Sequence, residues 1–178
     1  MSRSIERLLD DVGWRILCAL QEDARVSFSE LGRKVGLSAP AVAERVRRLE
    51  DAGIISGYRV ELGLERLGLS IEALIRVSAR EEDCPALKAL ARALPEVLEC
   101  HHVTGSDSFV LRVAVTSVGH LEAVIEKLGR HGTPSTSVIL SSPVRTRVLD
   151  RIPVGPARAG RALDRRPPPR GAHVRRPR

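Results

Sequence analysis

Apolar side chains at Leu9, Val12, Ile16, Leu17 and Leu20 recur at spacings of three and four, so the pattern predicts an amphipathic helix over Leu8–Gln21. Asp10 and Asp11 near its start suit the positive end of the helix dipole. Ser27-x-x-Glu30 is a capping box, in which each side chain satisfies a free N–H of the other residue, and Val26 with Leu31 flanks it as a hydrophobic staple. Gly36 follows Val35 and suits a left-handed cap, so this second helix is short. A third helix takes Ser38 as N-cap, tolerates Pro40 in its first turn and runs to a second capping glycine at Gly53. Helices joined by a short glycine turn predict a helix-turn-helix, and Ile54–Val60 after it reads as a short β-hairpin, the wing.

From Leu69 the period changes. Ser70–Val77 reads as a strand, Cys84–Leu94 as a helix ended by Pro95, and Val97–Thr104 with Phe109–Val115 as two strands joined at Gly105-Ser106-Asp107-Ser108. His120–Arg130 is a helix burying Leu121, Val124, Ile125 and Leu128, and Ser137–Leu140 opens a last strand that runs on past Pro143 to Leu149. The order β-α-β-β-α-β predicts a ferredoxin-like antiparallel sheet with both helices on one face. The fold class is therefore α+β, with a winged helix-turn-helix over residues 1–60, a linker over 61–68, a ferredoxin-like domain over 69–150 and a tail over 151–178. Strands so rich in Ile, Val and Leu predict a broad apolar patch on the helix-free face, hence pairing of the sheet with a second subunit.

Charge changes this picture in one place. The chain of 178 residues carries +7, but nine arginines and one acid from Arg151 onward account for +8 and leave −1 for everything before. DNA binding by the folded part must therefore rest on pattern. The tail, full of Pro, Arg and Gly, has too little apolar surface for a core and is expected to be disordered. Two readings of it stay open: sequence-independent phosphate binding, and the arginine usage of a GC-rich genome, in a chain with only three lysines. No apolar run approaches the length of a membrane span and no export signal is read, so the protein is expected in the cytoplasm with no membrane partner. Cys18, Cys84 and Cys100 are far apart with no C-x-x-C pair, and neighbours in Cys100-His101-His102 point to opposite faces of a strand, so neither disulfides nor a metal site is expected.

On the third helix Val42, Val46 and Leu49 share one arc and face the core, whereas Glu44 and Arg48 lie opposite. Ser38, Ala39, Pro40 and Ala41 in the first turn, with Glu44, Arg45 and Arg48, are the candidates to enter the major groove of double-stranded DNA. Arg47, and Arg33 with Lys34 on the preceding helix, are candidates for backbone phosphates. The competing reading makes Arg45, Arg47 and Arg48 a solvated face paired with Glu44, Glu50 and Asp51.

These residues resemble the Lrp/AsnC, or feast/famine, transcriptional regulators. The likeness is carried in order by Ile16-Leu17-x-x-Leu20-Gln21-x-Asp23-x-Arg25, Val35-Gly36-Leu37-Ser38, Glu44–Glu50 and Gly53–Tyr58, then by Glu99-Cys100-His101 and Val103-Thr104-Gly105. The resemblance implies a sequence-specific regulator with a RAM-type C-terminal domain, dimers built through the sheets, assembly into tetramers or octamers, and an amino acid or related small molecule as effector. By family position the effector residues are Val103, Thr104, Gly105, Ser106, Asp107 and Ser108, with Thr133, Ser135 and Thr136 before and at the start of the last strand. The loop departs from the family pattern of glycine, a polar residue, an aromatic and Asp: Asp107 stands at the aromatic position and Ser108 at the usual Asp. Three outcomes follow: an ordinary amino-acid effector, an unusual ligand, or none.

Two other functions compete. An architectural, nucleoid-type protein would cover DNA with little preference. Some haem-pathway decarboxylases resemble the same two-domain family and would need histidines such as His101 or His102 in a haem-sized basic cleft. No nucleophile–base spacing, phosphate loop or metal cluster occurs elsewhere, so no enzyme activity and no cofactor is expected.

Overall fold

The computed structural model describes residues 3–151; the tail expected to be disordered lies, from Ile152 on, outside the described residues. The chain divides into two compact units, one holding the chain up to Tyr58 together with the segment from Val148 onward, the other Arg59–Arg147.

The first unit holds α1 (Arg3–Leu8), α2 (Asp11–Glu22), α3 (Phe28–Val35) and α4 (Ala39–Asp51). The helix expected from Leu8 starts at Asp11, after a separate α1 that ends at Leu8, because Asp10 takes an extended backbone and its carboxylate accepts from the Gly13 N–H at 2.7 Å as an N-cap. The Ser27–Glu30 capping box forms as its sequence predicts. Gly36 ends α3 at φ 77°, where a side chain would be strained. Gly32 serves by close approach instead: a Cβ there would run into the carbonyl oxygen of Leu37, so the turn lies flat against α3. Ile16, Leu31, Val42, Val46 and Leu49 are buried together as the core of this unit.

The hairpin expected at Ile54–Val60 does not form; among the described residues no strand lies between Asp51 and Ile71. Ile54 and Ile55 both donate N–H to the carbonyl of Leu49 and pack on the helical core, so the apolar pair that suggested a strand closes the end of α4. The chain returns to this unit at Leu149, where the Gln21 side chain donates to the Leu149 carbonyl at 3.0 Å and accepts its N–H at 2.8 Å.

The second unit is a four-stranded antiparallel sheet in the order β2-β3-β1-β4, with β1 (Ile71–Ser78), β2 (Val97–His102), β3 (Phe109–Val115) and β4 (Thr133–Val138). Helices α5 (Cys84–Ala93) and α6 (Val118–Gly129) connect it in the β-α-β-β-α-β order read from sequence. Ala73, Ile75 and Val77 pair with Val113, Leu111 and Phe109 and are buried with Leu87, Val124 and Leu128, so both helices cover one face.

Two expectations are corrected. The last strand is Thr133–Val138, not one opening at Ser137, and none continues through Pro143 among the described residues. It is an edge strand paired only with β1, so it has no need of an apolar alternation. Nor is the helix-free face a broad apolar patch. The Val, Ile and Leu that suggested one lie mostly on the helix side, while Glu72, Arg76, Glu99, His101 and Arg112 alternate with half-buried Leu74 and Val110 on the other.

Candidate nucleic-acid interface and effector loop

Helix α4 owes its position to Val42, Val46 and Leu49, whose burial turns the opposite arc and the first turn outward. Ser38 is exposed and makes no side-chain cap, no acidic side chain lies in the first turn, and Pro40 brings no N–H. The free N–H groups at this helix start are therefore available to an anion, with the Ser38 hydroxyl beside them. Ala39, Pro40 and Ala41 keep this edge low, so a duplex groove can approach the backbone closely.

The charged residues divide. Glu44 gathers Arg47, at 2.8 Å, and Arg48, also at 2.8 Å, and Arg47 reaches Asp51 at 3.1 Å. The Arg47 guanidinium first, then Arg48, holds the Glu44 carboxyl below the usual carboxylate range. This is the solvated, paired face of the competing reading for Arg47 and Arg48, and both remain exposed. Glu50 instead accepts from the Tyr58 hydroxyl at 2.9 Å; burial first, then that hydrogen bond, pushes the phenol up to about 12. Arg45 is turned away from the groove edge: its guanidinium makes two hydrogen bonds to Asp10, at 2.6 and 2.8 Å. Arg33 and Lys34 are exposed at the end of α3, on the element that precedes α4.

In the second unit the loop 103–108 closes on β1. Ser108 donates its hydroxyl to the Ala79 carbonyl at 2.9 Å and accepts the Ala79 N–H at 3.1 Å, so it fastens the loop and has little left for a ligand. Asp107 accepts from the Ser78 hydroxyl at 3.2 Å and lies 3.9 Å from Nε of Arg76. Gly105 takes φ 118° at the turn. Register places Ser135 beside Arg76 and Thr133 beside Ser78 on the helix-free face, and Arg76 also donates to the Ser137 hydroxyl at 3.4 Å. Thr136 pairs with Ile75 and therefore sits on the helix side, apart from the others.

Arg76 was missed by sequence reasoning. Its signal was the alternation of β1, where Ala73, Ile75 and Val77 point one way and Glu72, Leu74, Arg76 and Ser78 the other. A charge at a strand's centre, level with the loop, marks it once the strands are in register. Cys100 and His102 share a face and His101 takes the other, and among the described residues no group of three His, Cys, Asp or Glu side chains could hold a metal ion. No helix among them is long and apolar enough to cross a membrane.

Comparison with known proteins agrees with this division. Residues 9–50 match the AsnC-type helix-turn-helix domain, and residues 72–149 the Lrp/AsnC ligand binding domain. The HTH-type transcriptional regulator YezC of Bacillus subtilis is 42% identical over 134 residues, covering 75% of this chain and 95% of that one. The solved structure of LrpC from B. subtilis has a TM-score of 0.74 at 33% identity, covering 78% of this chain and 99% of that one. A transcriptional regulator of Neisseria meningitidis solved as an L-methionine complex has a TM-score of 0.75 at 33% identity, covering 79% of this chain and 96% of that one. The chain belongs to the Lrp/AsnC family of DNA-binding transcriptional regulators, which are not enzymes.

Proposed function

We propose that the chain regulates transcription in the cytoplasm as an oligomer that reads a duplex with the first turn of α4 and responds to a small zwitterion at Arg76 and Asp107. The DNA-binding domain spans residues 1–60, residues 61–68 link it, and residues 69–150 oligomerise and sense. The observation that carries the DNA reading is the uncapped, acid-free start of α4 at Ser38–Ala41, standing out from a helix whose other arc is buried. Arg48 and Glu44 face the groove, and Arg47, Arg33 and Lys34 meet phosphates. Arg45 positions the helix through Asp10.

The effector reading rests on a pair of opposite charges on one face. Asp107 is set to accept an ammonium group and Arg76 to hold a carboxylate, with Ser78, Thr133, Ser135 and Ser137 beside them. An α-amino acid carries both groups, and the N. meningitidis relative was solved with one. Self-association uses the same helix-free face, where Leu74 and Val110 supply apolar contact and the charges around them supply register.

The test is binding of the purified full-length protein to its own upstream DNA and to a scrambled fragment at physiological salt, with and without a panel of L-amino acids. Preference for the upstream fragment that shifts with one amino acid supports the whole reading. Equal binding to both replaces it with the architectural one, and no binding to either overturns it.

A further inference from the structure

On the helix side of the sheet, away from Arg76 and Asp107, the edge strand β2 and helix α5 line an open cleft of about 450 Å³. Its walls follow from local geometry. Register puts Cys100 and His102 on the helix side, opposite Leu111 and Phe109, and an irregularity between Val97 and Glu99 leaves Leu98 at the rim. From α5, Lys88 and Arg92 come to the same cavity one turn apart.

The cavity holds cations without counter-charge. Neither Lys88 nor Arg92 has an ion-pair partner among the described residues, and Glu99, the one carboxylate on the wall, is held by Arg112 at 2.7 Å on the opposite face of the sheet. The floor is flat and unsaturated. Phe109 is buried, the His102 ring stacks on it with centroids 4.7 Å apart, and Nζ of Lys88 lies 5.8 Å from the Phe109 centroid.

We propose that this cavity binds a small organic anion, a carboxylate on a flat aromatic or conjugated body, with the carboxylate at Lys88 and Arg92 and the body against His102 and Leu98. Two cations one helical turn apart suit a carboxylate, and an imidazole already stacked on a buried ring offers a face to a second planar group. The volume lies in the range of small-ligand sites, about 300–1,000 Å³. A zwitterionic amino acid is disfavoured, because its ammonium would meet two cations and no free carboxylate. This site and the Arg76–Asp107 pair thus select different charge patterns, and the proposal stands without any effector reading of that pair.

Cys100 reports occupancy, since its thiol lines the cavity and two other free cysteines, Cys18 and Cys84, lie elsewhere. The experiment follows iodoacetamide labelling of all three cysteines in the full-length protein by peptide mass spectrometry, with phenylacetate, phenylacetamide or L-phenylalanine as probe. Phenylacetate is expected to slow labelling of Cys100 alone, and neither the uncharged amide nor the zwitterion should do so at the same concentration. The exposed double variant K88Q/R92Q should raise the phenylacetate concentration for half-protection by about tenfold or more, with folding unchanged by circular dichroism. Equal protection by phenylacetamide, full protection in the double variant, or no protection at millimolar phenylacetate overturns the proposal. So does Cys100 labelling that falls with protein concentration and no probe, which would show a second copy covering the cavity.

Discussion

The guanidinium of Arg45 closes on both oxygens of the Asp10 carboxylate, at 2.6 and 2.8 Å, and so ties the middle of α4 to the N-cap of α2. The Arg45 hydrogen bond is the main reason the Asp10 carboxyl sits below its usual range. Both side chains are about a third or more exposed, at 33% and 41%, so solvent discounts the pair, and a double-mutant cycle should give a coupling of about 0.5–1 kcal/mol. Asp10→Ala should cost about 1 kcal/mol beyond that, because the Gly13 N–H also loses its cap. With its folded value lowered, Asp10 stabilises the fold fully above the ordinary carboxylate range and loses that contribution as pH falls through the folded value. Thermal melts of wild type and Asp10→Asn should therefore converge on acidification. A constant gap would show that the pair is not formed.

Glu44 restrains two arginines at the outer arc of α4, so its removal should strengthen binding to unrelated DNA. Glu44→Ala frees Arg48 and leaves Arg47 held by Asp51 alone, so the plot of log affinity against log salt should steepen by up to about 0.9 for each new phosphate contact. Arg48→Ala should weaken binding and flatten the slope by roughly one. Fluorescence anisotropy with a scrambled duplex over a salt series measures both. If Glu44 reads a base instead, Glu44→Ala will lose preference for the upstream site with no change of slope.

At Gly32 the turn carbonyl of Leu37 occupies the space a methyl group would need. Gly32→Ala must push α4 off α3 or bend the turn, at a cost of about 1–3 kcal/mol by analogy with overpacked cores. Because the displaced turn carries Ser38, DNA affinity should fall more than the loss of folded protein explains. Anisotropy on protein shown folded by near-ultraviolet circular dichroism separates the two effects.

The elements legible in the sequence were those with a local chemical signature. The Ser27–Glu30 box, Gly36, and the apolar stripes of α4, α5 and α6 each lie where the pattern put them, because each is decided within a few residues. Ile54–Ile55 was misread since an apolar pair after a helix suits a strand and a helix-end plug equally, and only the Leu49 carbonyl distinguishes them. Thr133–Val138 gave no apolar alternation because an edge strand with one neighbour buries little. Resemblance supplied the effector loop, but the partners of Asp107 depend on the pairing of β1 with β3, which brings Ser78 to a residue 29 positions on and which no local pattern encodes.

Glu96 is nearly buried before β2, and its Oε1 meets Nε2 of His120 at 2.9 Å, with Nζ of Lys127 at 3.9 Å. The His120 hydrogen bond is the chief reason its carboxyl lies below the usual range. His120→Ala should destabilise the sheet domain by about 1–3 kcal/mol, because it leaves a carboxylate 11% exposed with Lys127 at 3.9 Å in place of its hydrogen bond. The lowered carboxylate contributes fully above its unfolded range and is lost as pH falls through the folded value, so the penalty of the variant should shrink below pH about 4. Urea unfolding from neutral pH to below pH 4 measures this, and a penalty independent of pH would mean His120 acts through packing alone.

Substitutions at Arg76 and at Asp107 should differ in sign of charge and agree in effect. Asp107→Asn leaves Ser78 a partner and keeps the Ser108 fastening to Ala79, so the loop should hold its shape while losing the group that meets an ammonium. Arg76→Gln removes the group that meets a carboxylate and leaves β1 paired on both sides. Each should weaken the responding amino acid by about ten- to a hundredfold, as expected from the roughly 1.5–3 kcal/mol of a charge-assisted hydrogen bond. Isothermal titration with the amino acid identified on upstream DNA, and with its decarboxylated amine, separates the roles: Arg76→Gln should abolish the preference for acid over amine, whereas Asp107→Asn should not. If both variants bind the amino acid as wild type does, the face beside β4 is not the effector site, and Asp107 is there to hold the loop to Ser78.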